Sequence, residues 1–182
     1  MELHALHARE ATEEIRFDEV YQETAPVVVR TLRRLVPTHL VEDAFQDVFL
    51  TVARRLEDFE SRSTLKTWVI GIAVRVASDH RRTARRAERR LSALGREVAP
   101  RTVTPEQQAV RADQVRLLHR VLEEMRDEHR EVLVLVELEQ MAASEVAKLL
   151  VLNPNTLYSR LRAARAEFNG IVVRFRQGEA EP

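Results

Sequence analysis

The sequence of 182 residues contains no cysteine, which removes disulfides and thiolate metal sites from consideration. Glycine is scarce, at four residues, and no glycine-rich loop of the kind that cradles phosphate is present. Strand-like alternation is hard to find. No apolar run approaches the ~18 residues that a membrane helix needs. The opening residues, "MELHALHARE", lack the basic start and apolar core of a signal peptide. A cytoplasmic protein without a membrane partner is the expectation. The six histidines are His4, His7, His39, His80, His119 and His129. Only the first two fall in a short spacing, and no cluster has the form of a metal or catalytic centre. Neither an enzyme nor a cofactor-bearing protein is expected.

Apolar residues make up 45% of the chain, enough for a globular core. The abundant residues are leucine, alanine, glutamate and arginine, which are good helix formers. An all-α protein follows, of one domain or two small ones.

Lysine plus arginine balance aspartate plus glutamate at 29 each, but the two signs are not mixed evenly. Arg75 to Arg96 holds eight arginines against two acids, and Arg160 to Arg176 holds five against one. The first 74 residues carry 13 acids against nine bases. Two basic patches stand in an acidic body, and a polyanion responds to local patches. Arginine donors suit phosphate, so the first patch points to nucleic acid.

Helical spacing predicts a first helix from about Phe17 to Leu35, with Pro26 placed to bend or divide it. The stretch "VEDAFQDVFLTVARRL" from Val41 gives an unbroken apolar stripe. Its other face carries Glu42, Asp43, Gln46 and Asp47. "DFESRST" breaks this helix, and Ser63 or Thr64 caps the next. Phe59 is placed to act as a hydrophobic staple. The third helix runs from about Leu65 into the arginine run. Ser61, Arg62 and Ser63 lie in a loop so placed that it can receive a flipped base. Gly95, Pro100 and Pro105 then mark a linker of about 15 to 20 residues. A loop that long inside one compact domain is unusual, so two domains are expected.

The second part begins near Ala109. It holds helices around Val115–Met125 and Glu128–Glu139, then "ASEVAKLL" and "NTLYSRLRAARAEF". Asn153 can cap the last of these, with Pro154 at its first position. A short helix, a tight turn and an arginine-bearing helix make a helix-turn-helix. Leu157, Leu161 and Ala164 face inward. Tyr158, Ser159, Arg162 and Arg165 lie near or on the exposed side. Asn155 and Thr156 lie at the N-terminal end, where such helices meet base edges and phosphate.

In "VEDAFQDVF", "STLKTWVIGIA", "SDHRR", "DEHREVLVL" and "SEVAKLL…NPNTLYSRLRAARAEF", and in their order, the chain resembles a bacterial extracytoplasmic-function sigma factor of the sigma-70 family. The resemblance covers roughly residues 15–90 and 110–168. It implies a region 2-like domain over 15–92, a flexible linker over 93–109, and a region 4-like helix-turn-helix domain over 110–176. It implies that Glu42, Asp43, Gln46 and Asp47 dock on a basic coiled coil of core RNA polymerase. Ser61, Arg62 and Ser63 would capture a flipped base of the −10 element. Arg75, His80, Arg81, Arg82 and Arg85 would contact that element and its backbone. Asn155, Thr156, Tyr158, Ser159, Arg162 and Arg165 would read the −35 element. The partners would be core polymerase, promoter DNA and an anti-sigma factor or other regulator.

Four positions depart from the family pattern. Arg75 stands where asparagine is frequent. Gln140 and Ala142 replace a glycine and a serine cap, and Val151 replaces the glycine of the turn. Glycine supplies a left-handed conformation cheaply and a β-branched residue does not, so a turn built differently is expected. Two rival functions are open to the sequence. One is an anti-sigma-like or scaffold protein that occupies polymerase without initiating. The other is a helix-turn-helix repressor, which leaves the N-terminal half unexplained.

Overall fold

The computed structural model describes residues 16–93 and 109–178. Seven α-helices account for most of them, with no strand among the described residues. The His4–His7 pair and residues 94–108 of the expected linker lie outside them.

Helix α1 spans Phe17–Leu35 and is not divided at Pro26. Pro26 and Gln22, whose carbonyl loses its amide partner to the proline, are both exposed, which limits the cost of the missing bond. Val20, Val27, Val28, Leu32 and Leu35 bury one face. After a 3₁₀ turn, α2 covers Val41–Arg55. It buries Val41, Ala44, Val48, Phe49 and Val52, as the apolar stripe requires. Helix α3, Leu65–Ala93, packs against both α1 and α2. These three helices enclose the first core.

Helix α4 spans Ala109–Glu124 and α5 Asp127–Leu133. The chain continues from α5 as a π turn over Val134–Leu138. There the Glu139 amide donates to the Val134 carbonyl at 2.8 Å, a five-residue step that widens the helix. Helix α6, Ala143–Leu149, and α7, Pro154–Gly178, complete the second half. α7 packs on α4, α5 and α6.

The turn between α6 and α7 keeps the geometry that a glycine favours, against the expectation raised by Val151. Val151 takes φ 54°, in the left-handed region. The Leu152 amide donates to Ala147 at 2.8 Å and the Val151 amide to Lys148 at 3.2 Å. That pair of bonds is the Schellman arrangement. Its two hydrogen bonds outweigh the strain of a β-branched residue there. Gln140 likewise holds φ 53°. Ala142, at the start of α6, makes no side-chain cap.

The two halves touch. α1 lies against α4 and against the π turn. A Cβ added at Gly71 of α3 would meet the Leu149 side chain of α6 at 3.6 Å, ordinary contact.

Candidate polymerase- and DNA-binding surfaces

On α2 the stripe that packs inward leaves Glu42, Asp43, Gln46 and Asp47 exposed together. Their spacing over two turns places all four on one side of the helix. Glu42 and Asp43 fall in the first turn, where the helix dipole favours acids. Beside them, Phe45 and Phe49 form an aromatic group with Phe17 and Tyr21. The Tyr21 and Phe49 rings lie 4.7 Å apart, and those of Phe45 and Phe49 4.9 Å. Phe49 is buried, whereas Tyr21 is 42% exposed. The acidic face therefore has an apolar flank.

The loop before α3 is pinned at both ends. Thr64 Oγ1 accepts the Thr67 amide at 3.1 Å, which makes Thr64 the cap. Phe59 packs on Trp68 with ring centroids 5.3 Å apart; it lies five residues before the Thr64 cap, so the contact ties the start of the loop to α3 without being the N′–N4 staple that the sequence suggested. Ser61, Arg62 and Ser63 all project from this loop. Ser61 has φ 53°, a strained conformation for a residue other than glycine.

Helix α3 divides its basic residues between two directions. Arg75 and Arg82, seven apart, are both exposed. His80 is half-buried, with Nε2 2.8 Å from Asp47 Oδ2. Arg81 is buried, with only 3% of its side chain accessible. It donates to the Leu35 carbonyl at 2.8 Å and pairs with Glu131 and Asp127 of α5. Arg85 is exposed but also engages Asp127, at 2.8 Å. The arrangement brings Arg75 and Arg82 to the surface and turns Arg81 into the seam between the halves.

On α7, Asn155, Thr156, Tyr158, Ser159, Arg162 and Arg165 are all exposed, above buried Leu157, Leu161 and Ala164. Asn153 Oδ1 accepts the Asn155 amide at 2.9 Å, the expected cap. Asn155, Ser159 and Arg162 share one line along the helix. Ser159 Oγ donates to the Thr156 carbonyl at 2.9 Å, and Arg165 Nε donates to Glu137 at 3.0 Å.

Three features escaped sequence reasoning. Glu139, whose side chain is fully enclosed, is clamped by Arg30 at 2.7 Å and Arg34 at 2.6 Å. The hydrogen bond with Glu139 pushes the Arg30 guanidinium above its ordinary value. Arg130 is buried and donates to the carbonyls of Leu35, Glu123 and Met125. Burial, together with the neighbouring Arg81 charge, lowers its guanidinium to about 10. His129 pairs with Glu167. The Glu139 and Arg130–Leu35 contacts join residues 95 to 109 positions apart, and no local pattern announces them. For Arg81 there was a signal. It follows buried Ala73 and Ala77 at intervals of four, so helical phase turns it inward.

An exposed acidic helix, a basic helix behind a strained loop, and a helix-turn-helix with an outward polar face are the features of a helical DNA-binding protein. Residues 20–87 match the family profile described as Sigma-70 region 2. Residues 116–168 match that of Sigma-70, region 4. RNA polymerase sigma factor CarQ of Myxococcus xanthus is 30% identical over 154 residues, which cover 82% of this chain and 83% of CarQ. ECF RNA polymerase sigma factor SigX of Bacillus subtilis is 30% identical over 115 residues, 60% of this chain, and the match spans 58% of SigX. Among solved structures, RpoE of Bartonella quintana, in complex with the anti-sigma factor NepR, superposes with a TM-score of 0.66. That match has 19% identity and covers 86% of this chain and 96% of that one. The chain belongs to the sigma-70 family, as an extracytoplasmic-function sigma factor. It is a non-enzymatic initiation factor that directs RNA polymerase to promoter DNA. No helix among the described residues is long and apolar enough to cross a membrane.

Proposed function

We propose that three surfaces divide the work of initiation. The α2 face of Glu42, Asp43, Gln46 and Asp47 docks on core polymerase. The loop of Ser61, Arg62 and Ser63, with Arg75, His80 and Arg82 of α3, takes the −10 element. Arg81 and Arg85 join that contact once α5 has released them. The exposed face of α7, from Asn155 to Arg165, reads the −35 element. The units that carry these surfaces are residues 15–92 and 110–176, joined by a linker over 93–109. The chain acts in the cytoplasm, where polymerase and promoter meet.

The observation that carries this reading is the outward direction of both sets of polar groups. Four acidic or amide groups face solvent on α2 and six polar groups on α7, each above a packed apolar stripe. Phosphate contacts set register and base contacts set sequence, and α7 offers both an amide side chain and arginines. RpoE of B. quintana is held by an anti-sigma factor. That supports the further reading that this chain too is controlled by an anti-sigma factor or similar regulator.

The test is run-off transcription with purified core polymerase. The chain is expected to start transcription at a defined promoter, and a chain lacking residues 110–182 to bind core without selecting a promoter. Binding to core without any initiation by the full chain would contradict the proposal.

A further inference from the structure

An acid stands beside the polar face of α7. Glu137, in the π turn, lies against Arg165, whose Nε donates to its Oε1 at 3.0 Å and whose Nη2 donates to the same oxygen. Both side chains are open to water, Arg165 by 58% and Glu137 by 38%. Ion pairs so exposed add little to stability, so stability does not account for this one. The acid within α7 itself, Glu167, turns the other way, to His129 and to the Arg126 amide at the start of α5. A carboxylate left beside a phosphate-binding face repels DNA unless it also serves the arginine it holds.

The contact uses one edge of the guanidinium. Nε and Nη2 form its side edge, and both meet Oε1. The hydrogens of Nη1 and the outer hydrogen of Nη2 form the end edge, which meets no acceptor among the described residues. A phosphate can take that end edge without displacing the carboxylate. Both partners are rooted in packed backbone. Val134 and Leu135 of the π turn are fully buried, and so is Ala164, next to Arg165. Arg165 lies about 15 Å along α7 from Asn155. The major groove is about 8.5 Å deep. When the N-terminal end of α7 meets base edges, Arg165 therefore stands at the level of the DNA backbone.

We infer that Glu137 is a positioning residue for −35 recognition, holding the Arg165 guanidinium by its side edge so that its end edge meets a DNA phosphate. The inference rests on the reading that α7 meets the −35 element. Side chains held by a second layer of hydrogen bonds bind with less ordering left to do. Without the carboxylate, Arg165 spreads over about three staggered wells at χ1. A competent fraction of about a third weakens the contact about threefold. Arg162, three residues earlier and exposed, has no ion-pair partner among the described residues and is the unguided counterpart.

The test is a double-mutant cycle in the holoenzyme, the full chain with core polymerase, binding a fluorescent promoter duplex that supports run-off transcription. Glu137→Ala, Arg165→Ala and the pair together are compared at two salt concentrations. Removing the carboxylate also removes its repulsion of DNA, and the Arg165→Ala background measures that part alone. Relative to that background, Glu137→Ala should weaken binding about threefold when Arg165 is present, and equally for every −35 variant. Glu137→Gln keeps an acceptor oxygen and should lose less. With Arg162→Ala in place of Arg165→Ala, the cycle should show no coupling. The urea midpoint of the free chain should stay where it is in both Glu137 variants. Equal effects of Glu137→Ala with and without Arg165 would overturn the inference, and so would a loss that tracks an earlier urea midpoint. Tighter binding only when Arg165 is present would make Glu137 a competitor of phosphate and overturn it too. If Arg165→Ala itself neither weakened binding nor lowered the salt dependence, the reading of this face of α7 as a DNA contact would fail, and the positioning role with it.

Discussion

His80 of α3 and Asp47 of α2 are in hydrogen-bond contact, with Nε2 2.8 Å from Oδ2. The contact joins the surface assigned to −10 DNA to the surface assigned to polymerase. Asp43, on the same face, has no such link among the described residues. The two acids should therefore behave differently. Asp43→Lys is expected to weaken core binding alone. Asp47→Lys should weaken core binding and also disturb −10 recognition, because a lysine then faces His80. Helicity should be retained in both, since neither residue is buried. Core affinity and permanganate reactivity of the −10 region, measured side by side, check the split. Equal behaviour of the two variants would remove the link.

The strained turn gives a stability prediction. A left-handed residue other than glycine costs about 1–2 kcal/mol, and Val151 sits there at φ 54°, with 84% of its surface exposed. Glycine relieves that strain but gains freedom in the unfolded chain, which returns about 0.5–1 kcal/mol. Val151→Gly should stabilise the second domain by roughly 0.5–1 kcal/mol. Ala142→Ser, which restores a side-chain cap to α6, should add about 1 kcal/mol. Urea unfolding of the two variants measures both.

Glu131 gives a pH dependence. Burial raises its carboxyl above the ordinary 4.5, against the opposing pull of the Arg81 guanidinium. In the interval just above that value the folded chain keeps a proton that the unfolded chain has lost. Stability from this group therefore falls as pH rises through the interval. Glu131→Gln should remove that component of the slope. Urea midpoints of both proteins between about pH 4.5 and 7 give the difference; an identical slope in the two would contradict the raised value.

Much of this fold is written in local periodicity. The stripe through Val41, Ala44, Val48 and Val52 specifies α2 and, by subtraction, its acidic face. Asn153 and Pro154 specify where α7 begins. α7 runs on to Gly178, beyond the Phe168 at which the recognisable motif stops. Ile171 and Phe175 extend its apolar face, and Phe175 carries Arg120 4.3 Å above its ring. What the sequence hid was the partner of each charge. In "SDHRRTARR" helical phase separates buried Arg81 from exposed Arg82, but it does not name the carboxylates that Arg81 and Arg85 meet. Arg81 and Arg130 reach the same Leu35 carbonyl from opposite halves, at 2.8 and 3.2 Å. Such contacts depend on how the halves meet, and no spacing within either half encodes that. Val151 was hidden in another way, because its propensity opposes the turn that the surrounding hydrogen bonds impose.

The central claim is that α7 reads the promoter, and initiation across a library of −35 variants at two salt concentrations tests it most directly. An amide side chain can pair with adenine, and a good base contact is worth about 1–3 kcal/mol of discrimination. Arg165, drawn toward Glu137 in the free chain, is better placed for phosphate than for a base. Asn155→Ala is expected to change which −35 sequences are used. Arg165→Ala should weaken all of them about equally and reduce the dependence on salt. If both variants left the use of every promoter unchanged, α7 would not be the reader.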